Sequence, residues 1–537
     1  MKVGDTTMNN KKRLYVSLDC SRNGVLKVSA LKKFVDYIGK MGYNALMLYL
    51  EDVYEIDEEP LFGAFRGKYT KKELQEINNY AMKNGIELIF NIQTLAHLNQ
   101  LFIWNEYDSI HDIDDILLVD NDRTYKLIES MIKSIRECCS SDVLHIGMDE
   151  AAHLGLGKYL KKYGYCDKQE IMSRHMKKVQ EIANKYGFKS IIDSDMFFSI
   201  VSPGYYAKPE QITDMITKLV PNDMEIMFWN YYGNDREFYD MMFEAHKKFN
   251  RPVWFLGGAW TWSGFTPNNK LSIIRSEAAL KAFKDSDALH AGIACFGDNG
   301  AETSYFSVLP ALFSFAENYR GNFDKESIKE KFKSIFGIEF DNFLKLDLPA
   351  EIPGFIPKGE AKNPDKFMFY NDPFLGIRDF LAYKCPEGSE KFKIYAEELK
   401  NTDGGEFNYL FDTAEALCRV MSVKYDLGYR TREAYKKDDK KGLRIISKDY
   451  ELCIQLLEVF SRKFRERWMH ENKAFGYEII DIRFGGLKER LNHCHERLND
   501  YIEGKINHIE ELEEDIHFED ENLRCNEWRK IVSTNVI

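Results

Sequence analysis

The segment RLYVSLDC, residues 13–20, is the first of eight short apolar runs that recur through the first three hundred residues of this 537-residue chain. The others are NALMLYL (44–50), IELIFNIQ (86–93), DVLHIGMDE (142–150), KSIIDSDMF (189–197), EIMFWNYY (225–232), PVWFLGGAW (252–260) and AGIACFGDN (291–299). Most are apolar on both faces, which is typical of buried parallel strands. Amphipathic stretches such as SRHMKKVQEIANKYG (173–187) separate them. The alternation predicts an α/β fold, a (β/α)8 TIM barrel.

A doubly wound open sheet is the alternative fold. Its dinucleotide-binding form carries a G-x-G-x-x-G turn after the first strand, and this sequence has none there. The barrel is therefore favoured.

The character of the sequence changes after about residue 318. Strand-like runs nearly vanish, and stretches such as DYELCIQLLEVFSRKFRERW (449–468) predict amphipathic helices. The segment LDLPAEIPGFIPKGEAKNPDK (346–366) predicts a long loop, and ENKAFGYEIIDIRFGGLKER (471–490) interrupts the helical pattern at its three glycines, Gly476, Gly485 and Gly486. We expect a barrel over residues 1–318 and an α-helical C-terminal domain over residues 319–537.

The composition excludes several classes of function. A formal net charge of -12 disfavours binding to nucleic acid or to anionic lipid. No apolar run approaches the length that spans a bilayer, and the first residues lack an apolar signal-peptide core. The ten cysteines include no C-x-x-C pair and are typical of reduced thiols. These features predict a cytoplasmic protein.

No metal or other cofactor is expected. The run His493, Cys494, His495 offers ligand types suited to zinc. It lies in a predicted helix, however, where residues two apart do not share a face.

Polar and aromatic side chains collect where the predicted strands end. In a TIM barrel the carboxyl ends of the strands hold the active site. Carboxylates, amides and arginine suit sugar hydroxyls, and aromatic rings suit the flat face of a sugar. The composition of this rim therefore indicates a carbohydrate ligand. Its members are Asp19, Arg22, Gln93, His97, His145, Asp149, Glu150, Asp193, Asp195, Trp229, Asn230, Tyr231, Tyr232, Trp260, Trp262, Asp298, Asn299 and Glu302.

The adjacent carboxylates Asp149 and Glu150 follow directly on the fourth strand. Adjacent carboxylates repel each other, so one pKa should rise while the other stays low. The group with the raised pKa can hold a proton near neutrality and act as a general acid. Alternatively, Asp149 caps the next helix and Glu150 is solvated.

The segment HIGMDEAAHLGLGKY (145–159) resembles the H-x-G-x-D-E signature of family 20 glycoside hydrolases. The members it is most similar to are compact β-N-acetylhexosaminidases without the N-terminal accessory domain and with a helical C-terminal region. Four further segments share the resemblance: LDCSRN (18–23), IQTLAHL (92–98), FGDNGAETS (296–304) and ENKAFGYEIIDIRFGGL (471–487). Two departures are Phe296, where the family usually has tryptophan, and Leu95-Ala96-His97, where larger members often have Pro-Gly-His.

The resemblance implies hydrolysis of terminal β-linked GlcNAc or GalNAc by substrate assistance, through an oxazolinium intermediate and with retention. Glu150 would be the acid and base, and Asp149 would orient the substrate's acetamido group. Tyr232, or as second choice Tyr231, would steer the acetamido oxygen. The other implied substrate-binding residues are Arg22, His97, Trp229, Trp260, Trp262 and Asp298.

Two alternatives to this function remain. A related enzyme could cleave a disaccharide unit or an unacetylated hexoside. A protein of another class could use this fold as a catalytically silent carbohydrate-binding module or scaffold. The expected partner is in each case a glycan, and a homodimer is a further expectation because helical C-terminal regions often supply dimer contacts.

Overall fold

The computed structural model describes residues 11–352, 355, 364–516 and 527–536, and its first part is a closed barrel of eight parallel strands. Each strand pairs with its sequence neighbour in the barrel, and the last pairs with the first. The predicted TIM barrel is thus confirmed. The strands are β1 (Leu14–Asp19), β2 (Ala45–Leu50), β3 (Glu87–Ile92), β4 (Val143–His145), β5 (Lys189–Asp193), β6 (Glu225–Trp229), β7 (Val253–Gly258) and β8 (His290–Cys295).

Alternate residues of the strands fill the inside of the barrel. Tyr15 and Trp254 meet edge to face there, with ring centroids 5.2 Å apart. Gly292 lies opposite Tyr15, and a Cβ added to it would lie 2.3 Å from the tyrosine ring. Large and small side chains therefore interlock across the barrel, and the interior is a packed core rather than a pore.

Helices surround the barrel and connect its strands. Between β5 and β6 the connection holds two short α-helices and the 3-10 helix Pro209–Gln211, in a stretch that also contains Pro203 and Gly204. The helices up to the end of the barrel are α1 (Val28–Lys40), α2 (Lys71–Lys83), α3 (Asp122–Cys138), α4 (Lys158–Tyr163), α5 (Lys168–Lys185), α6 (Asp195–Phe198), α7 (Asp214–Thr217), α8 (Arg236–Lys247), α9 (Asn269–Asp285) and α10 (Leu309–Tyr319).

The rest of the described chain is helical, as predicted. Its two longest helices, α18 (Lys440–Glu471) and α19 (Tyr477–Glu503), pack against each other. The helices are α11 (Lys325–Phe336), α12 (Phe340–Leu344), α13 (Pro364–Phe369), α14 (Phe380–Lys384), α15 (Gly388–Lys400), α16 (Asn408–Lys424), α17 (Leu427–Lys436), α18 (Lys440–Glu471), α19 (Tyr477–Glu503), α20 (Glu510–Glu513) and α21 (Trp528–Val532). The domain boundary at residue 318 stays a prediction; that residue lies within α10.

The expected interruption at Gly485 and Gly486 is wrong, because α19 runs through both glycines. A glycine inside a helix costs only about 1 kcal/mol, and the buried neighbours Phe484 and Leu487 hold this turn in place. Gly476 does mark a break: it has φ +87° and precedes the first residue of α19.

Much of the loop predicted over residues 346–366 lies outside the described residues. Its beginning continues a short 3-10 helix, Lys345–Ala350, and its end starts α13. Among the residues that the structure describes, no helix is both long and apolar enough to cross a lipid bilayer.

Two glycine substitutions should have opposite effects on stability, because Gly292 lies in the packed barrel interior and Gly485 lies in α19 with open space around it. Gly292→Ala should lower the melting temperature, because overpacking a core costs about 1–3 kcal/mol and the new methyl group would meet the ring of Tyr15. Gly485→Ala should raise it, since its added Cβ meets nothing within 4 Å and alanine favours a helix by about 1 kcal/mol. Thermal unfolding of both variants checks this; a neutral Gly292→Ala would contradict the packing.

Candidate active site

A cleft of about 920 Å³ opens at the carboxyl ends of the barrel strands. All but one of the ten residues predicted to be catalytic or substrate-binding line it, and Trp260 is the exception: it is 1% exposed and stacks on Trp262. The cleft therefore joins residues that are far apart in sequence. The predicted residues that line it are Arg22, His97, Asp149, Glu150, Trp229, Tyr231, Tyr232, Trp262 and Asp298.

The backbone after β4 directs both adjacent carboxylates toward the cleft. Gly147, Met148 and Glu150 all have positive φ values, of 68°, 75° and 54°. A Cβ on Gly147 would lie 2.2 Å from Oε1 of Gln93, so only glycine fits there. The next helix, α4, has Gly157 as its N-cap, so Asp149 does not cap it. The left-handed turn thus explains why neighbours in sequence share one cleft.

Asp149 is held as an anion at the base of the cleft. Gln93 Nε2 donates a hydrogen bond to its Oδ1 at 2.7 Å, and His97 Nε2 lies 3.2 Å from its Oδ2. Burial acts to raise the pKa of Asp149, but the charge of His97 and these hydrogen bonds keep it well below the usual range. The carboxylate is therefore ionised across the neutral pH range.

The pKa of Glu150 is shifted in the opposite direction from that of Asp149. Burial and the negative charge of Asp149 both raise the pKa of Glu150. Its side chain is 41% exposed, so it can meet a ligand from the cleft. Its backbone N–H donates to Oδ2 of the buried Asp195 at 2.9 Å, and the Tyr205 hydroxyl interacts with its carboxylate. The pair thus provides one fixed charge and one group that holds a proton more readily.

His97 has a left-handed backbone, with φ 58°, and its N–H donates to Oδ2 of Asp115 at 3.1 Å. Burial alone would lower the pKa of His97, but the charge of Asp149 and their hydrogen bond raise it to about 10. Its Nε2 also lies 3.6 Å from Oε2 of Glu150. The ligand atoms of His97, Asp149 and Glu150 lie within 4.8 Å of one another. A metal ion would have to displace the proton from Nε2 of His97, because only a neutral imidazole can be a ligand.

Two buried carboxylates at the end of β5, Asp193 and Asp195, interact with the Asp149–Glu150 pair. Burial raises the pKa of Asp193 to about 6, and Asp193 Oδ2 lies 3.5 Å from Nε2 of the buried His145. Burial and the charges of Asp149 and Asp193 raise the pKa of Asp195 well above its usual value. Asp193 lines the cleft, whereas Asp195 acts through the backbone of Glu150.

A charged network forms the side of the cleft near β1, β2 and β8. Arg22 pairs with Glu51 at 2.9 Å and with Asp298 at 3.3 Å. Asp19 links two of the loops by accepting hydrogen bonds from the backbone N–H groups of Ser21 and Gly297. Glu51 is absent from the sequence prediction, although it directly follows β2. The same strand-end rule that selected the other residues would have found it.

Aromatic rings form the opposite side of the cleft. Tyr231 stacks on Trp229 with centroids 5.5 Å apart and meets Trp262 at 5.3 Å. The rings of Trp262 and Trp260 stack at 4.4 Å, so Trp260 supports the wall from behind. Burial, and after it the charge of Asp193, raise the pKa of Tyr231 well above its usual value. The choice between Tyr231, which contacts both Trp229 and Trp262, and the more exposed Tyr232 stays a prediction.

The C-terminal helical region contacts the loop that carries Arg22. Lys473 N–H donates to the carbonyl of Val25 at 2.8 Å, and Lys27 N–H donates to the carbonyl of Glu471 at 2.9 Å. A Cβ on Gly476 would lie 2.4 Å from the carbonyl oxygen of Asn23, so glycine is needed for this approach. Backbone groups therefore fix the C-terminal region beside the cleft.

The loop that carries Asp298 is held by a buried ion cluster. Glu302 pairs with Lys366 at 2.7 Å and with Arg483 at 2.8 Å, and all three side chains are nearly inaccessible. Arg483 also donates to the carbonyl of Asn299 at 2.9 Å. Loss of one partner from a buried ion pair typically costs about 3–5 kcal/mol. The sequence placed Glu302 on the rim but could not show that its partners come from the C-terminal region.

Two family models match the chain. Residues 16–247 match "Glycosyl hydrolase family 20, catalytic domain" and residues 341–527 match "Glycoside Hydrolase 20C C-terminal domain". The chain is 25% identical to Beta-hexosaminidase 3 of Arabidopsis thaliana over 203 residues, 34% of this chain and 37% of that protein. It is 24% identical to Hexosaminidase D of Homo sapiens over 141 residues, 26% and 29% of the two chains. The matches thus span about a third of each relative.

Solved structures also resemble the chain. One is the β-N-acetylhexosaminidase from Bacteroides fragilis NCTC 9343, with a TM-score of 0.47 and 19% identity over 61% of this chain and 71% of that one.

The Asp149–His97 pair predicts the titration of the histidine. His97 should stay protonated between pH 5 and 8, and in Asp149→Asn its pKa should fall below 6.5 because burial then dominates. NMR measures both values, with His97→Gln to assign the resonance. Asp115→Asn is the control, since Asp115 lies 3.9 Å from Nδ1 and should matter less. A neutral His97 at pH 7 in the unmodified protein would contradict the pair.

Because its folded pKa is raised, His97 contributes to the free energy of unfolding below about pH 6.5, and this contribution is lost as the pH rises toward about 10.

Proposed function

The chain belongs to glycoside hydrolase family 20, and we propose that it is an exo-acting β-N-acetylhexosaminidase that removes terminal β-linked GlcNAc or GalNAc with retention. One observation carries the proposal: Asp149 and Glu150 face one cleft with pKa values displaced in opposite directions. The aromatic wall and the Arg22 network supply the groups that a sugar needs.

The arrangement of carboxylates favours substrate assistance. An ordinary retaining glycosidase places its acid and its nucleophile about 5 Å apart across the sugar. Asp149 and Glu150 are neighbours in sequence, and Asp193 is buried and near His145. We infer that the 2-acetamido oxygen of the substrate attacks C1 and forms an oxazolinium ion. Glu150 gives its proton to the departing oxygen and then takes one from the water that opens the ring.

Asp149 stabilises the positive charge that develops during this attack. Its ionised carboxylate accepts a hydrogen bond from the acetamido N–H and is already in place before reaction. His97 and Gln93 hold Asp149 in position. Tyr231 steers the acetamido oxygen, with Trp229 and Trp262 around the methyl group. Trp260 acts by supporting Trp262.

The charged side of the cleft binds the outer hydroxyls. Arg22 can donate hydrogen bonds to the sugar hydroxyls and the carboxylate of Asp298 can accept them, and Glu51 holds Arg22 in place at 2.9 Å. Both gluco and galacto epimers are candidate substrates, since both offer a hydroxyl at C4.

A cytoplasmic location and a homodimer are also proposed. All nine described cysteines are free thiols, which suits a reducing compartment. Three exposed apolar residues of α18, Ile445, Leu452 and Val459, recur every seven residues along one side of that helix. Such spacing is typical of a seam between two helices and supports association with a second copy.

Replacement of Glu150 tests the function. Glu150→Gln should lower kcat/KM about 10²–10⁴-fold on a β-GlcNAc disaccharide, the usual contribution of a general acid. The loss should be much smaller on a dinitrophenyl β-GlcNAc glycoside, whose leaving group needs little protonation. Glu478→Gln is the matched control, because Glu478 is an exposed carboxylate of the same cleft. Steady-state kinetics on gluco and galacto substrates measures these ratios.

Two outcomes would contradict the assignment. Equal losses on both substrates would place the acid elsewhere. Sugar binding without turnover by the unmodified protein would support the silent scaffold instead.

A further inference from the structure

Two groups of aromatic and apolar residues in the cleft differ in exposure. Trp262, in the wall described above, is 7% exposed. Phe65 and Ile103 also line the cleft, but they are 78% and 62% exposed. The first group belongs to the deep part of the cleft and the second to its mouth. The two groups also lie on different loops, those after β6 and β7 and those after β2 and β3.

Phe65 combines an exposed ring with a strained backbone. Its φ of 62° is a left-handed conformation that disfavours any side chain with a Cβ. The ring contacts Trp104, with centroids 6.2 Å apart and planes tilted by 36°. An exposed phenylalanine in a glycine-like conformation contributes little to the core. The two rings instead form an apolar platform that faces the cleft, which we call the Phe65–Trp104 platform.

The platform lies close in sequence and in barrel order to the acid. Trp104 follows His97 in the loop after β3, and His97 Nε2 is 3.6 Å from Glu150. β3 is the neighbour of β4 in the barrel, and β2 is the neighbour of β3. Asn99 and Gln100 lie between His97 and Trp104 and also line the cleft. Their exposed amide groups make no side-chain hydrogen bond within the part of the chain that the structure describes, so they can bind a hydroxyl-rich ligand.

The size of the cleft leaves room at the mouth. Cavities of roughly 300–1,000 Å³ hold ligands of drug size, and this cleft, at about 920 Å³, is larger than one monosaccharide needs. An exo-acting enzyme encloses the terminal sugar, so the next sugar begins on the solvent side of Glu150.

We propose that the Phe65–Trp104 platform, with the amides of Asn99 and Gln100, binds the sugar to which the terminal N-acetylhexosamine is attached. The C–H face of that ring packs on the aromatic rings, and its hydroxyls meet the amides. The substrate is then an oligosaccharide rather than a glycoside of a small alcohol. This inference rests on the proposed function, because it assumes that the terminal sugar occupies the deep part of the cleft.

Two substrates separate the platform from the catalytic groups. One is a β-GlcNAc-terminated disaccharide, and the other is trifluoroethyl β-GlcNAc, whose leaving alcohol is small but similarly acidic. Phe65→Gly should lower kcat/KM for the disaccharide about tenfold and leave that for the trifluoroethyl glycoside within about twofold. Trp104→Ala should show the same selectivity. Tyr165→Ala is the matched control, since Tyr165 is 75% exposed and lies away from the cleft.

Phe65→Gly also guards against a folding artefact. Glycine accepts the left-handed conformation, so the melting temperature should stay unchanged or rise. An unchanged disaccharide rate, or equal losses on both substrates, would overturn the platform while leaving the proposed function intact. Turnover of neither substrate by the unmodified protein would overturn both.

Discussion

Two carboxylates that are neighbours in the chain face one cleft with pKa values displaced in opposite directions, and the rest of the site is arranged around this constraint. The left-handed turn at Gly147–Glu150 brings both side chains to the cleft. The protonated His97 stabilises the charge of Asp149, and that charge in turn helps to raise the pKa of Glu150. The ion pair between His97 and Asp149 therefore helps to separate the pKa values of the two carboxylates. This separation gives Asp149 and Glu150 two different chemical roles despite their identical functional groups.

The C-terminal helical region completes this site rather than merely following it. Backbone hydrogen bonds from residues 471–473 fix the loop that carries Arg22. The buried cluster of Glu302, Lys366 and Arg483 fixes the loop that carries Asp298. Since Arg22 and Asp298 pair across the cleft, their geometry depends on both attachments. A catalytic barrel and a helical region thus share one binding surface.

The fold and the center of the site could be predicted from the sequence because their signals are local. Strands buried on both faces give continuous apolar runs, so the observed strands begin close to the quoted segments. Residues that end these strands meet at one rim, which identified Arg22, His97 and the Asp149–Glu150 pair. Glu51 obeyed the same rule but was overlooked after β2. The interruption predicted at Gly485 and Gly486 is wrong because the packing of α19 outweighs the low helix propensity of glycine.

Other features depend on contacts that no local pattern encodes. The partners of Glu302 lie more than sixty residues away in the chain. No pattern in the sequence marks Phe65, and only the structure shows that its exposed ring contacts Trp104. The choice between Tyr231 and Tyr232 likewise depends on how their rings pack, which two adjacent tyrosines in a sequence do not show.

In the proposed mechanism the acetamido group of the substrate is the nucleophile, and Asp149 supports it. The most direct test is the rate of hydrolysis of β-glycosides that carry acetyl, fluoroacetyl and trifluoroacetyl groups on the nitrogen. Fluorine withdraws charge from the attacking oxygen, so kcat should fall steeply along the series if the acetamido group is the nucleophile. A flat series, together with a trapped covalent glycosyl-enzyme, would contradict it.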